Sequence, residues 1–154
     1  MKKYELTTDT KSIFGKRYFR IRALVDFGNV SKGDLGGYIE SEDNLSNDTG
    51  YGNAWVGGEA WVGGEAYVVG EARVDGNAHV DSNDCYTTIK GFGTEFRNTT
   101  FFRCKDNKIR VQCGCFYGDL EEFRQQVKDT RGGKIAKEYL MVADLMEYHF
   151  SEEK

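Results

Sequence analysis

The chain has 154 residues, 19 glycines and no proline, where average usage would give about 11 and about 8. Its turns must therefore be built by glycine and Asn or Asp, and collagen-like or proline-rich segments are excluded. With 39% hydrophobic and 14% aromatic residues, disorder as the main state is excluded too.

The net charge of −4 averages unlike parts. Residues 34–84 carry 11 acids against one base, Arg73, while residues 1–33 carry eight bases and three acids. The remainder is nearly balanced. No run of 18 apolar residues and no apolar signal core occur, so the chain reads as a cytoplasmic protein of an infected or lysogenic bacterium, without membrane contact. Cys85, Cys104, Cys113 and Cys115 then read as reduced thiols.

In chain order, residues 12–27 read as one or two strands. Tyr18, Arg20 and Arg22 alternate there with Phe19, Ile21 and Ala23, giving a basic and an apolar face. The following GNVSKGDLGGYIE reads as a glycine-rich connection with a tight turn at Gly36–Gly37. From Gly52 a six-residue unit repeats as GNAWVG, GEAWVG, GEAYVV, GEARVD, GNAHVD. Valine recurs at Val56, Val62, Val68, Val74 and Val80, with alanine two residues before each. A fixed period of six means a parallel β-helix. Ile39 and Leu45 add weaker rungs, with a slip near Gly50–Gly52.

The pattern resembles the hexapeptide-repeat family, which implies a left-handed parallel β-helix with valine and alanine inside and glycine at the corners. Outward columns then read Trp55, Trp61, Tyr67, Arg73, His79 and Asn53, Glu59, Glu65, Glu71, Asn77. At about 18 residues per coil, Trp55 falls over Arg73, a cation–π pair, and Trp61 over His79. Such rings either pack beneath the flanking segments, form an oligomer interface, or make a ligand platform. About two and a half coils is short for a solenoid, so the flanks or a second copy must cover its ends.

Residues 101–116 read as a β-hairpin with a two-residue turn at Asp106–Asn107. That register puts Arg103 opposite Arg110 and gathers Phe102, Cys104, Ile109, Val111, Cys113 and Cys115 on one apolar face. Arg103, Lys105, Lys108 and Arg110 share the other, awaiting an acidic neighbour, an anionic ligand or simple solvation. Asp119 and Glu122 form a capping box before a helix with Leu120, Phe123 and Val127 on one stripe. Gly132–Gly133 breaks it, and a second helix from Lys134 to Phe150 buries Ile135, Tyr139, Val142 and Met146.

The expected fold is mainly β: a short left-handed parallel β-helix with a C-terminal α+β module of hairpin and two helices. Its parts are an N-terminal strand and cap segment (1–38), the repeats (39–84) and the C-terminal module (85–154). Cysteine spacing lacks the paired CxxC form of structural zinc sites, so no metal or cofactor is expected. Nor does any nucleotide-loop, hydrolase-elbow or metalloprotease motif occur. The acidic balance disfavours nucleic acid.

The hexapeptide resemblance brings in an acyltransferase reading with His79 as its histidine. Three stretches, YFRIRALVDFGNVSKGDLGGYIESEDNLS, the GNAWV-type rungs and CGCFYGDLEEFRQQV, together resemble small phage and prophage hexapeptide-repeat proteins. That resemblance implies a non-enzymatic accessory protein, acting by analogy against host defences. The first expectation is an oligomer, dimer or trimer, that sequesters an anionic nucleotide signal. Trp55, Trp61, Tyr67, Arg73, His79, Arg20, Arg22, Arg103 and Arg110 are its candidate ligand residues. The alternatives are an inhibitor that grips a host defence protein with its acidic face, and the acyltransferase.

Overall fold

The computed structural model describes residues 1–95, 97–114 and 116–151. Its strands are β1 (Tyr4–Ile13), β2 (Lys16–Ala23), β3 (Leu35–Ile39), β4 (Trp55–Val56), β5 (Trp61–Val62), β6 (Arg73–Val74) and β7 (His79–Val80). They continue with β8 (Tyr86–Phe92), β9 (Arg97–Arg103), β10 (Ile109–Cys113) and β11 (Phe116–Asp119). Two helices follow, α1 (Leu120–Thr130) and α2 (Gly133–His149). The opening strand β1 lies in the N-terminal strand and cap segment, largely ahead of the strands expected over residues 12–27.

The six-residue unit builds one core column. Its five valines have no exposed surface and its five alanines at most 1%. Segments 18 residues apart are laced by backbone hydrogen bonds, Trp55 N–H to Ala72 C=O at 3.1 Å and Trp61 N–H to Ala78 C=O at 3.0 Å. Gly58, Gly64, Gly70 and Gly76 turn the corners at φ of 58–74°, a region glycine enters without steric cost. Ahead of these rungs, Ile39 pairs with Val62 and Leu45 with Val68, five residues more than the 18 that separate Val56 from Val74. The extra residues form a 3-10 turn at Thr49–Tyr51, with Gly52 at φ 104°. That is the slip expected near Gly50–Gly52.

Both ends of the column are closed within the chain. At the upper edge the carbonyls of the inward alanines take their donors from outside the six-residue units. Tyr38 N–H donates to the Ala60 carbonyl at 2.8 Å, the Asn44 side-chain amide to Ala66 at 2.8 Å, and the Lys3 ammonium to Ala54 at 2.7 Å. At the lower edge Phe102 of β9 and Cys104 just after it pack into the same core. There Lys105 N–H reaches the Asn77 carbonyl at 3.1 Å, and the Thr100 hydroxyl accepts from Arg73 N–H at 3.0 Å.

A left-handed parallel β-helix is nevertheless not the fold. The sheets are mixed and antiparallel: a five-stranded sheet ordered β1-β2-β3-β5-β7, a four-stranded sheet ordered β11-β10-β9-β8, and the pair β4-β6. Rung strands are two residues long and pair in parallel, whereas the longer strands pair antiparallel with one another. Of the longer strands in the described residues, β3 alone also pairs in parallel, with β5. The repeat is too short to dominate, and the longer flanking strands set the architecture.

Gly36 and Gly37 do not form a tight turn; they lie inside β3. A Cβ on Gly36 would sit 2.5 Å from the Val56 carbonyl oxygen and 2.7 Å from Ile21 Cγ1, so glycine lets β3 press against the rungs.

The β9–β10 hairpin is one residue out of the expected register. Cys104 N–H bonds Lys108 C=O at 2.9 Å and Asn107 N–H bonds Cys104 C=O at 2.8 Å, with Asn107 at φ 66°. This is a three-residue loop closing on a left-handed residue rather than a two-residue turn. Arg103 therefore pairs with Ile109 and Phe102 with Arg110. A one-residue slip exchanges faces, so neither the single apolar face nor the shared cationic face exists. Phe102 and Cys104 join the repeat core, while Phe101 and Val111 join a second core with Phe123, Val127, Tyr139, Ala143 and Met146 of the helices. Cys115 lies outside the described residues.

Helix α1 starts at the expected capping box, Glu122 N–H to Asp119 carboxylate at 2.8 Å and Asp119 N–H to Glu122 carboxylate at 3.1 Å. Helix α2 buries Tyr139, Val142, Ala143 and Met146. Among the described residues no helix is long and apolar enough to cross a membrane.

Candidate functional site

The five aromatic and basic residues of the repeat's expected outward column separate into faces. On the first face Trp55 pairs with Arg73 across β4-β6, but its ring points into the protein. It is 3% exposed, edge-on to Phe27 at 5.4 Å and to Tyr4 at 6.5 Å. The guanidinium of Arg73 turns to Asp75 at 2.9 Å instead. Trp55 is thus core rather than an outward platform, because Tyr4 and Phe27 fold over it.

The second face carries Arg20, Tyr38, Trp61 and His79 on four neighbouring strands in register. His79 lies against Trp61 with ring centroids 3.4 Å apart and planes tilted by 31°, the neighbours that the 18-residue spacing predicts. Tyr18 meets Trp61 edge-on at 5.3 Å, and Phe14 of the β1–β2 turn covers both rings at 6.3 and 6.5 Å. Burial pushes the His79 imidazole below its ordinary pKa, and the Asp81 carboxylate 3.9 Å away opposes that.

Arg20 is saturated by its own chain. It donates to Asp9 at 3.1 Å, to the Gly36 carbonyl at 3.0 Å, to the Tyr38 hydroxyl at 2.7 Å and to Glu59 at 3.1 Å. Lys11 Nζ lies 4.5 Å over the Tyr38 ring and 3.0 Å from Glu59. Hydrogen bonds from Lys11 and Arg20 hold the Glu59 carboxyl below its usual range.

The other candidate cations are engaged as well. Arg22 pairs with Glu5. Arg103 donates to the Phe150 carbonyl and to Asn107, both at 3.0 Å, and Arg110 pairs with Asp106 at 2.8 Å while its Nη1 stays buried without a partner. These cations sit in separate places, each opposite its own carboxylate or carbonyl. They do not converge on a ligand.

The third face is different. Among the described residues only the isolated Leu45–Val68 bridge crosses it, and none of their strands overlies it. Along residues 65–71, Glu65, Tyr67, Val69 and Glu71 point out while Ala66 and Val68 are buried. Tyr67 and Val69 are each 40% exposed and Tyr51 65%. Glu42, Asp43, Asp48, Tyr51 and Tyr67 line an open hollow there. The Tyr67 carbonyl accepts the Tyr86 hydroxyl at 2.6 Å and its N–H donates to Asn83 at 2.8 Å, so the backbone under the ring is fixed. Of the nine predicted site residues only Tyr67 belongs to this face. Tyr51, Asp43 and Asp48 escaped the repeat pattern because they lie in the five-residue insertion and its lead-in. The available signal was the Asp48–Gly50 turn, in which Asp48 accepts from Gly50 N–H at 2.8 Å.

Elsewhere, a cavity of about 130 Å³ between the antiparallel sheet and the helices is lined by Phe92, Phe116, Phe123, Tyr139 and Cys113. Cys85, Cys104 and Cys113 are free thiols, and burial raises Cys104 to about 11. Among the described residues no group of three or more His, Cys, Asp or Glu gathers to hold a metal. The chain matches no protein-family model and no curated protein.

Proposed function

We propose that the chain is a non-enzymatic binding protein that grips a basic protein partner with the acidic third face of its repeats. It would be an accessory protein of a phage or prophage, acting on a host defence component. The observation that carries this reading is the uneven cover of the repeat. Tyr4, Phe27, Phe14 and Tyr18 shield the tryptophans of two faces. The third keeps Glu65, Glu71, Asp43, Tyr51 and Tyr67 exposed.

Exposed tyrosines ringed by carboxylates suit a protein interface. The rings supply contact area at small entropic cost, and the charge steers an oppositely charged partner. An anionic nucleotide would need cations that Asp9, Glu59, Glu5, Asp75 and Asp106 already hold. The function therefore rests on the acidic surface.

Capture from a bacterial host lysate tests it. The wild type should retain a basic protein that high salt releases. Asp43→Lys/Glu65→Lys/Glu71→Lys and Tyr51→Ala/Tyr67→Ala should each lose it. Capture that survives both variants, or no capture, would remove this reading.

A further inference from the structure

Helix α2 has a second apolar face. Tyr139, Val142, Ala143 and Met146 turn to the sheet, yet Met141, Leu145 and Tyr148 recur at i, i+4 and i+7 on the opposite side. They are 61, 57 and 71% exposed. Beside this stripe Phe92, Glu138, Met141, Val142 and Leu145 enclose a shallow apolar hollow. Three large side chains in one row, with a hollow next to them, are not what a solvated helix face presents.

Charge along the helix selects the occupant. The first two turns carry Lys134 and Lys137 against Glu138, a net positive charge, and the later turns carry Asp144 and Glu147. Arg124 of α1 holds Asp144 and Glu147, each at 3.0 Å, and also pairs with Glu121. Three carboxylates against one guanidinium leave that end negative. A second copy running antiparallel would set each basic start against an acidic end, whereas a parallel copy would set like against like.

We infer that this face of α2 is the contact of a two-fold antiparallel homodimer. With the axis midway between Met141 and Leu145, each Met141 meets the partner's Leu145, and each Tyr148 seats in the partner's hollow beside its Glu138 and Phe92. Lys137 then comes within about one helical turn of the partner's Glu147. The contact is isologous, knob and hollow both being present once per chain, so it closes at two copies. It moves self-association away from the tryptophans, which the chain covers itself, and it does not depend on the acidic face of the repeats.

Sedimentation equilibrium on the full chain tests the dimer. At tens to hundreds of micromolar the wild type should weigh about 35 kDa, twice the 17.5 kDa of one chain. Leu145→Asp, at an exposed position, should weaken dimerisation by about a hundredfold or more with unchanged circular dichroism. Lys137→Glu should weaken it by about tenfold, through repulsion from the partner's Glu147. Tyr148→Ala, which adds no charge, should also dissociate the dimer. A wild type that stays at 17.5 kDa, or variants at Leu145 and Tyr148 that dimerise like the wild type, would overturn the inference. So would an apolar foreign helix that binds a monomeric wild type.

Discussion

Replacing Lys3 by methionine isolates the cost of closing the upper end of the repeat with a charge. The Lys3 side chain is fully buried, its ammonium 2.7 Å from the Ala54 carbonyl and 3.4 Å from the Ser46 hydroxyl. Burial lowers its pKa from 10.5 to about 8, and the Glu71 carboxylate opposes that only in part. At about 1.4 kcal/mol per pKa unit, keeping the group charged at neutral pH costs about 3 kcal/mol. Methionine of similar length removes this cost but leaves the Ala54 carbonyl without a donor, a loss of about 1–3 kcal/mol. The two nearly cancel, so near pH 7 the variant should lie within about 1–2 kcal/mol of the wild type.

The pH dependence separates the terms. Between pH 8 and 10.5 the unfolded chain binds the Lys3 proton more tightly than the folded one, so this group makes stability rise with pH. From about pH 7 to about pH 9.5 the wild type should gain about 2 kcal/mol relative to Lys3→Met. Urea unfolding of both proteins at both pH values measures it, and the difference between them cancels the other titrating groups. A wild-type-minus-variant difference that stays constant over this range would refute the buried-charge account.

Four further substitutions have outcomes set by the packing and capping. Gly36→Ala should cost about 3 kcal/mol or more in urea unfolding, since its Cβ would press on the Val56 carbonyl and Ile21. Gly15→Ala, where nothing lies within 4 Å, should cost only the backbone strain of a positive φ, about 1 kcal/mol. The depressed His79 pKa means that the unfolded chain takes up its proton first as pH falls below about 6.5. Melting temperature should therefore drop more steeply on acidification in the wild type than in His79→Phe. Asp119→Ala, which breaks the α1 capping box, should cost about 1–2 kcal/mol by the same unfolding measurement.

Much of the local structure was legible because it is periodic. Val56 to Val80 and their alanines mark the buried column, the glycines two residues on mark its corners, and the Trp61–His79 contact follows from the 18-residue spacing. The α1 box and the buried stripe of α2 are equally local signals. What the sequence hid were the long-range choices. Nothing in KKYELTTDT foretells that β1 adds antiparallel to β2 and turns the repeat into part of a mixed sheet. A single residue of loop length decided whether Phe101 or Phe102 faced the helices, and hairpin pattern alone did not reveal it.

The site was the least legible part. Outward position in a rung marks Trp55 and Tyr67 alike, yet Tyr4 and Phe27 cover the first, while the second stays 40% exposed. Cations that looked available for a ligand each proved to have an internal acceptor. Two of those acceptors, Glu5 and Asp9, come from β1, whose pairing was unforeseen, and Glu59 comes from the repeat itself.

Hydrogen-exchange mass spectrometry of the chain with and without its captured partner tests the functional account most directly. Protection confined to residues 42–51 and 65–71 is the predicted result. Protection on the Trp61–His79 face, or at the β9–β10 hairpin with the third face unchanged, would contradict it.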